Sequence, residues 1–128
     1  MDESRMKHGA FGWFELMTTD PEGAKKFYTE LFGWETEDYP MEKMNYTVLK
    51  VGGEAVAGIM PMPAEVAGMP PVWSVYITVD DVDETAKRVE ELGGKIDRPP
   101  ADIPGVGRFS VIQDPQGAFI LAMSYARK

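Results

Sequence analysis

An internal repeat constrains the fold of this chain more than any other feature of its sequence. Residues 13–33, WFELMTTDPEGAKKFYTELFG, align at a shift of 60 positions with residues 73–93, WSVYITVDDVDETAKRVEELG. Five positions are identical, among them Trp13 with Trp73 and Asp20 with Asp80. Because the matches fall where a helix would begin and end, we predict two structural units of the same kind.

Each copy of the repeat predicts a strand followed by a helix. In the first copy, Asp20 is a good N-cap before Pro21, and Gly33 can end the helix in a left-handed conformation. In the second copy, Asp81 and Glu84 have the spacing of a capping box. Both predicted helices carry one apolar stripe with steps of three and four residues, made by Ala24, Phe27, Tyr28, Leu31 and Phe32 and by Val82, Thr85, Ala86, Val89 and Leu92.

Three strands are predicted after each helix, the last two of them joined by a tight turn. The turns lie at residues 52–53 and at residues 114–117. Both halves are therefore predicted to be βαβββ units, residues 9–60 and 72–125, within a single domain of residues 9–125. The proline-rich segment 61–71 would connect the units, and residues 98–107, RPPADIPGVG, are predicted to form an irregular loop.

Composition argues against several classes of partner. The chain has 13 basic and 21 acidic side chains, hence a formal net charge of −8, and this field repels nucleic-acid phosphates and anionic lipid. There is no cysteine, which excludes disulfides and thiolate metal sites, and no apolar run approaches membrane-spanning length. We therefore expect a cytoplasmic protein that binds neither nucleic acid nor membranes.

Two tandem βαβββ units in so short a chain resemble the vicinal oxygen chelate superfamily, which includes glyoxalase I, bleomycin-resistance proteins and extradiol dioxygenases. The stretches WFELMTTDPEGAKKFYTELFGW and GRFSVIQDPQGAFILAM are similar to the subgroup described as predicted enzymes related to lactoylglutathione lyase. The resemblance implies an α+β fold in which the two units form a curved mixed sheet around a central cleft. It also implies a homodimer.

Metal-dependent members of this superfamily place one ligand on the first strand and one on the last strand of each unit. By resemblance these positions correspond to Trp13, Ala57, Trp73 and Leu121, none of which can hold a divalent metal. The single histidine of the sequence, His8, lies in the N-terminal tail. We therefore predict no metal site and no cofactor, and we do not expect metal-dependent glyoxalase I or dioxygenase chemistry.

Strand alternation predicts what fills the cleft instead. If Phe14 and Leu16 pack beneath the helix, then Trp13, Glu15 and Met17 face the cleft. The predicted ligand-binding residues are Trp13, Met17, Ala57, Ile59, Trp73, Val75, Phe109, Leu121 and Met123. Flat aromatic walls favour planar or cationic ligands. The alternative is that the two tryptophans fill the cleft or lie in an interface between subunits.

Glu15 is the candidate catalytic residue. A carboxylate on a mostly apolar face is expected to have its pKa raised by desolvation, which suits a general base near neutral pH. The alternative is a structural ion pair, for which Arg108 is the candidate partner.

Three functional hypotheses follow. The first is a protein of the glyoxalase and bleomycin-resistance family that lacks the usual metal ligands and binds a small aromatic or cationic molecule in an apolar cleft. The alternative is a metal-independent lyase, isomerase or hydroxylase-like enzyme that uses Glu15 as general base. The third is an interaction module whose cleft is closed by side chains.

Overall fold

The computed structural model describes residues 3–41, 44–63, 68–103 and 106–125. A short 3₁₀ helix, Glu3–Met6, is followed by β1 (Phe11–Thr18), α1 (Pro21–Phe32), β2 (Glu35–Pro40), β3 (Asn45–Val51) and β4 (Glu54–Pro61). The same order then recurs as β5 (Val72–Thr78), α2 (Val82–Glu91), β6 (Lys95–Ile103), β7 (Gly107–Gln113) and β8 (Phe119–Tyr125). The predicted α+β class and the two tandem βαβββ units are therefore confirmed.

The first compact unit comprises Trp13–Ser74. Its strands are ordered β2-β3-β4-β1, with β1 parallel to β4 and the other neighbours antiparallel. The parallel pair sets Glu15 opposite Gly58 and Leu16 opposite Ile59, so that these two pairs lie on opposite faces of the sheet. This register decides which side chains can share a site.

The second compact unit comprises Asp2–Gly12 together with Val75–Lys128. Its strands are ordered β5-β8-β7-β6, with β5 parallel to β8 and the other pairs antiparallel. The N-terminal segment belongs to this unit because Thr78 bonds to it through its main chain. The Gly9 N–H donates to the Thr78 carbonyl at 2.7 Å, and the Thr78 N–H donates to the Ala10 carbonyl at 2.9 Å.

The irregular loop predicted for residues 98–107 is wrong over most of its length, because β6 continues to Ile103. Proline lacks the N–H that a sheet ladder needs, which made Pro99 and Pro100 look like breakers. The strand accommodates them with register shifts against β7, between Ile96 and Arg98 and again between Arg98 and Ala101. Residues 104–105 and 64–67, within the predicted loop and linker, lie outside the described residues.

Both helices begin at the predicted aspartate caps. The Asp20 carboxylate accepts from the Gly23 N–H at 3.0 Å, and the Asp81 carboxylate accepts from the Glu84 N–H at 3.1 Å. At the other end of α1, Gly33 has φ 73° and donates its N–H to the Thr29 carbonyl at 2.9 Å.

These caps correct the internal alignment. The equivalent aspartates, Asp20 and Asp81, are 61 positions apart, so the shift of 60 that paired Asp20 with Asp80 is wrong by one residue. Trp73 therefore corresponds structurally to Gly12 rather than to Trp13. A one-residue error reverses the face of every side chain on a strand.

Each unit packs its helix on one face of its own strands. In the first unit the buried core is formed by Leu16, Leu49, Ala57 and Ile59, with Ala24 and Tyr28 of α1 packed against it. In the second unit Val79, Val82 and Ala122 form the core, with Ile77 and Ile112 beside them. No helix in the described ranges is long and apolar enough to cross a membrane.

Candidate functional site

A directed chain of hydrogen bonds lies on the face of the first unit's sheet that points away from α1. The Trp13 indole Nε1–H donates to the Tyr46 hydroxyl oxygen at 2.9 Å. The Tyr46 hydroxyl in turn donates to Glu15 Oε2 at 2.8 Å. We call the surface formed by Trp13, Glu15, Met17 and Tyr46 the Glu15 face.

Strand register explains why these side chains meet. Glu15 on β1 lies opposite Gly58 on β4, and Gly58 lies opposite Val48 on β3. Tyr46 is two residues from Val48, so its side chain points to the same face of the sheet. The ring of Tyr46 can therefore extend across β4 toward Glu15.

Gly58 is the residue that admits the ring. A Cβ atom at this position would lie 1.9 Å from the Tyr46 hydroxyl oxygen and 2.2 Å from ring carbon Cζ. Such distances are far inside van der Waals contact, so any other residue would displace the tyrosine. Glycine in mid-strand commonly marks a close approach of this kind.

Glu15 is buried, with only 8% of its surface exposed, as expected for a carboxylate set in an apolar face. Burial of a carboxylate requires hydrogen-bond donors, and the Tyr46 hydroxyl supplies one. Arg108, the partner predicted for a structural ion pair with Glu15, is the wrong one. Arg108 instead donates from Nε and Nη2 to the Asp83 carboxylate, both at 3.0 Å, and from Nη1 to Asp102 at 3.1 Å.

Two predicted ligand-binding residues of the first unit lie on the other face. Ala57 and Ile59 are buried in the core beneath α1, with 6% and 0% of their surfaces exposed. Their predicted orientation toward Trp13 and Glu15 is therefore wrong. The position between them, Gly58, is the one that shares the face with Glu15.

Trp73 is also separated from Trp13. Its indole Nε1–H donates to the Tyr28 hydroxyl at 3.2 Å, and its ring contacts Tyr28 and Trp34 with centroids 5.4 and 6.4 Å apart. These rings belong to an aromatic cluster on the α1 side, formed by Phe27, Tyr28, Phe32, Trp34 and Trp73. The predicted pair of tryptophans on one surface is not formed, because the two residues are not equivalent positions.

The remaining predicted residues lie in the second unit. The β7–β8 register sets Phe109 opposite Met123, and the β5–β8 register sets Leu121 opposite Tyr76, so Phe109, Leu121 and Met123 share one face. The Arg98 guanidinium lies over the Phe109 ring, 5.3 Å from its centroid. Val75 alternates with Tyr76 and points to the opposite face. A role of these residues in ligand binding stays a prediction.

Metal-dependent members of the superfamily that the sequence resembles hold their ion with side-chain ligands. Across the ranges that the structure describes, no three histidine, cysteine, aspartate or glutamate side chains come together in a group that could hold an ion. His8 accepts a hydrogen bond at Nδ1 from the Asp80 main-chain N–H at 3.0 Å. The side chains of the described ranges therefore do not fit the ligand set of a divalent metal.

Charged groups elsewhere serve the scaffold. Lys25 of α1 pairs with Asp38 of β2 at 3.0 Å, and the Thr47 hydroxyl of β3 donates to the same carboxylate at 2.9 Å. The lysine first and the hydroxyl second hold the pKa of Asp38 below its usual value. In the second unit, the Arg108 guanidinium lowers the pKa of Asp83 in the same way. Both pairs join a helix to the sheet of its own unit.

Sequence reasoning missed Tyr46 and Gly58. The sequence does contain a signal for each residue. Tyr46 lies two positions before Val48 on a predicted strand, and Gly58 interrupts another predicted strand. What the sequence does not show is that the two positions lie side by side, since this depends on the pairing of β3 with β4.

The two tandem βαβββ units define a glyoxalase-like domain. Residues 10–121 match the sequence model of the family described as Glyoxalase/Bleomycin resistance protein/Dioxygenase superfamily. The chain belongs to this family.

Curated relatives are similar over most of this chain. "Putative glyoxylase CFP32" of Mycobacterium bovis is 46% identical over 120 residues, which cover 91% of this chain and 46% of that protein. "Anthracycline biosynthesis protein DnrV" of Streptomyces peucetius is 35% identical over 128 residues, which cover 90% of this chain and 46% of that protein. The chain thus spans about half the length of the curated relatives it matches.

Solved structures show the same fold. A methylmalonyl-CoA epimerase of Streptomyces coelicolor superposes with a TM-score of 0.69 and 16% identity, covering 94% of this chain and all of that one. A glyoxalase/bleomycin resistance protein/dioxygenase superfamily member of Vibrio splendidus superposes with a TM-score of 0.61 and 16% identity. The superposition covers 88% of this chain and 96% of that one. At this level of identity the likeness extends to the fold alone.

Proposed function

We propose that this chain binds a small aromatic or cationic molecule on the Glu15 face. The observation that carries the proposal is the buried Glu15 carboxylate, held by Tyr46 and flanked by an indole, a phenol ring and a thioether. Apolar and aromatic walls with a small number of oriented polar groups are typical of small-molecule sites. The functional groups of this face are those of a ligand pocket rather than of a metal centre, which supports a metal-independent mode of binding.

The net charge of the chain and the name of one relative support an aromatic or cationic ligand. The net charge of −8 favours the approach of a cation, and indole and phenol faces attract cations as well as planar rings. The relative from Streptomyces peucetius carries anthracycline biosynthesis in its name, and anthracyclines are planar polycyclic compounds. Because the chain spans about half of that relative, we carry over the chemical class of the compound and not an activity.

A metal-independent enzyme, a lyase, isomerase or hydroxylase-like protein, is the second candidate function. The specific observation in its favour is the distance of 2.8 Å between the Tyr46 hydroxyl and Glu15, which puts a proton donor beside a carboxylate that would act as general base. Catalysis predicts that a bound aromatic compound is converted to a product of different mass or isomer composition. Binding alone predicts recovery of the unchanged compound.

Tryptophan fluorescence tests the location of binding, because the three tryptophans divide between two surfaces. The double variant Trp34→Phe/Trp73→Phe leaves Trp13 as the reporter, and Trp13→Phe leaves only the pair in the aromatic cluster. We expect doxorubicin, a planar compound with a protonated amine, to quench Trp13 and to leave the other pair nearly unchanged. Quenching of the cluster alone would contradict the proposed site.

Chromatography and mass spectrometry of the recovered doxorubicin separate the two functions in the same experiment. A lack of any fluorescence change with doxorubicin and a panel of fused-ring amines would instead favour the third hypothesis, an interaction module.

We propose further that the protein acts in the cytoplasm as a homodimer. Native mass spectrometry measures the mass of the assembly, and a monomer at micromolar concentration would contradict the dimer.

A further inference from the structure

We infer that the second unit carries a site for a planar aromatic carboxylate, in which Arg98 binds the carboxylate group. The site lies on the face of this unit's sheet that points away from α2, and we call it the Arg98 face. It is formed by Arg98, Phe109, Val111, Leu121 and Met123. The site belongs to a different unit from the Glu15 face and takes an anion, so it goes beyond the proposed function and does not depend on it.

A β-bulge turns Arg98 to this face. Ile96 of β6 lies opposite Ile112 of β7, which packs against the core beneath α2. A regular antiparallel ladder would therefore set Arg98 opposite Ser110, on the side of α2. Arg98 lies opposite Val111 instead, because the register shifts between Ile96 and Arg98. Bulges re-aim side chains in this way, and they are over-represented beside functional sites.

The main chain and the side chain of Arg98 are both held in the shifted position. Ser110 is fully buried, and its hydroxyl donates to the Arg98 carbonyl at 2.7 Å. The Arg98 guanidinium lies 5.3 Å from the centroid of the Phe109 ring, within the range of a cation–π contact. Because the guanidinium is already placed, a ligand that binds it has less side-chain freedom to remove.

The N–H donors of Arg98 are open to a ligand. Across the described parts of the chain, its guanidinium contacts no carboxylate and no other hydrogen-bond acceptor. Arg88 and Arg108, by contrast, each donate to carboxylates of the protein. A ring face attracts the cation without taking up its N–H groups. The guanidinium therefore keeps the fork of donors that matches a carboxylate.

The rest of the Arg98 face favours an aromatic ligand. The β7–β8 register sets Phe109 opposite Met123 and Val111 opposite Leu121, which gives a continuous apolar surface. Phe109, Val111 and Leu121 are half-buried, so part of each side chain is exposed. A planar ring can lie on this surface while its carboxylate meets the guanidinium in a bidentate contact. A phosphate would fit the same fork, but the net charge of −8 opposes its second negative charge.

Equilibrium dialysis with two matched probes tests this site. The probes are 2-naphthoate, which carries a carboxylate, and 2-naphthamide, which has nearly the same shape and no charge. For the wild-type protein we expect the dissociation constant of 2-naphthoate to be about tenfold lower, the effect of one charged hydrogen-bonded contact.

Substitutions at Arg98 and Phe109 test which groups bind the probes. Arg98→Gln removes the charge and should reduce the preference for 2-naphthoate to about twofold or less. Arg98→Lys keeps the charge without the planar fork, and we expect an intermediate preference. Phe109→Leu keeps an apolar side chain without a ring, so both probes should bind more weakly.

Arg88→Gln is the matched control. It makes the same chemical change on α2 of the same unit, where the guanidinium donates to Glu91 at 3.0 Å. The two Arg→Gln variants have the same net charge, so only the local role of Arg98 distinguishes them. We expect Arg88→Gln to keep the wild-type ratio. Thermal unfolding confirms that each variant is folded at the temperature of dialysis.

Three outcomes would overturn the inference. The first is that the wild-type protein binds both probes equally well or binds neither. The second is that Arg98→Gln keeps the wild-type ratio, because another group then binds the carboxylate. The third is that Arg88→Gln lowers the ratio as much as Arg98→Gln, because the preference then follows from net charge. None of these outcomes bears on the proposed function, which is tested separately by Trp13 fluorescence with doxorubicin.

Discussion

Replacing Gly58 by alanine should break the hydrogen-bond chain of the Glu15 face with the smallest possible change in the sequence. The new Cβ atom would lie 1.9 Å from the Tyr46 hydroxyl oxygen, 2.2 Å from Cζ and 2.5 Å from Cε2. Ordinary contact would require the Tyr46 side chain to move by more than about 1 Å, which its hydrogen-bonded position does not allow. The tyrosine ring must leave, and with it both hydrogen bonds to Trp13 and Glu15.

The cost can be estimated from what is lost. The bond between two neutral groups, Trp13 and Tyr46, contributes about 1 kcal/mol, and the bond from Tyr46 to the Glu15 carboxylate about 2 kcal/mol. Alanine reduces the freedom of the unfolded chain relative to glycine, which offsets about 0.5 kcal/mol. We therefore expect Gly58→Ala to lower the free energy of unfolding by about 2.5 kcal/mol, measured by urea denaturation with far-UV circular dichroism.

A double-mutant cycle provides the control. In the background Tyr46→Ala the ring is absent, so the added methyl group of Gly58→Ala meets no obstacle and should cost little or nothing. The two substitutions should therefore be strongly non-additive, with a coupling energy of about 2 kcal/mol or more. If Gly58→Ala costs the same in both backgrounds, the close packing of Tyr46 against Gly58 is not what requires a glycine, and the reasoning is refuted.

Three further predictions concern the scaffold. Arg108→Gln removes the group that lowers the pKa of Asp83. A lowered pKa stabilises the fold above the unfolded value of 3.8, and this stabilisation is lost as the pH falls through the folded value. In urea titrations the variant should therefore be less stable than wild type at pH 7, and the difference should shrink at a pH well below 3.8. An equal deficit at both pH values would contradict this. Asp20→Ala removes the N-cap of α1 and should cost about 1 kcal/mol, a loss that Asp20→Ser should largely restore. Leu16→Ala, at 4% exposure, should cost about 3 kcal/mol, whereas Phe27→Ala, at 58% exposure, should cost clearly less; equal changes in thermal stability would contradict the assignment of the core.

The fold could be predicted from sequence because its determinants are local and occur twice. Asp20 and Asp81 mark helix starts through contacts within three residues. The alternation of apolar residues after each helix predicts a strand even where the predicted bounds are wrong by a residue or two. The face of the sheet to which a strand side chain points is more sensitive to an alignment error. A shift of 60 instead of 61 paired Trp73 with Trp13, and this single residue moved the predicted aromatic wall to the wrong side of the sheet.

The candidate site could be predicted only in part, for the same physical reason. Glu15 stands out in the sequence because a carboxylate within an apolar strand needs an explanation, and its burial is confirmed. Its partner Tyr46 is 31 residues away and reaches it across a strand, so only the pairing of β3, β4 and β1 brings the two together. Local patterns carry no information about which strand lies between them.

The N-terminal segment has a consequence for how the two repeats can be handled as fragments. Gly9 and Ala10 satisfy the main-chain groups of Thr78, and the Thr78 hydroxyl donates to the Arg5 carbonyl at 2.6 Å. A cut between the repeats would therefore give a C-terminal fragment that lacks part of its own unit and exposes unpaired groups on β5. The sequence shows two copies joined by a linker, yet no single cleavage yields two complete halves. Separation of the repeats needs a circularly permuted chain in which residues 3–12 follow the second copy.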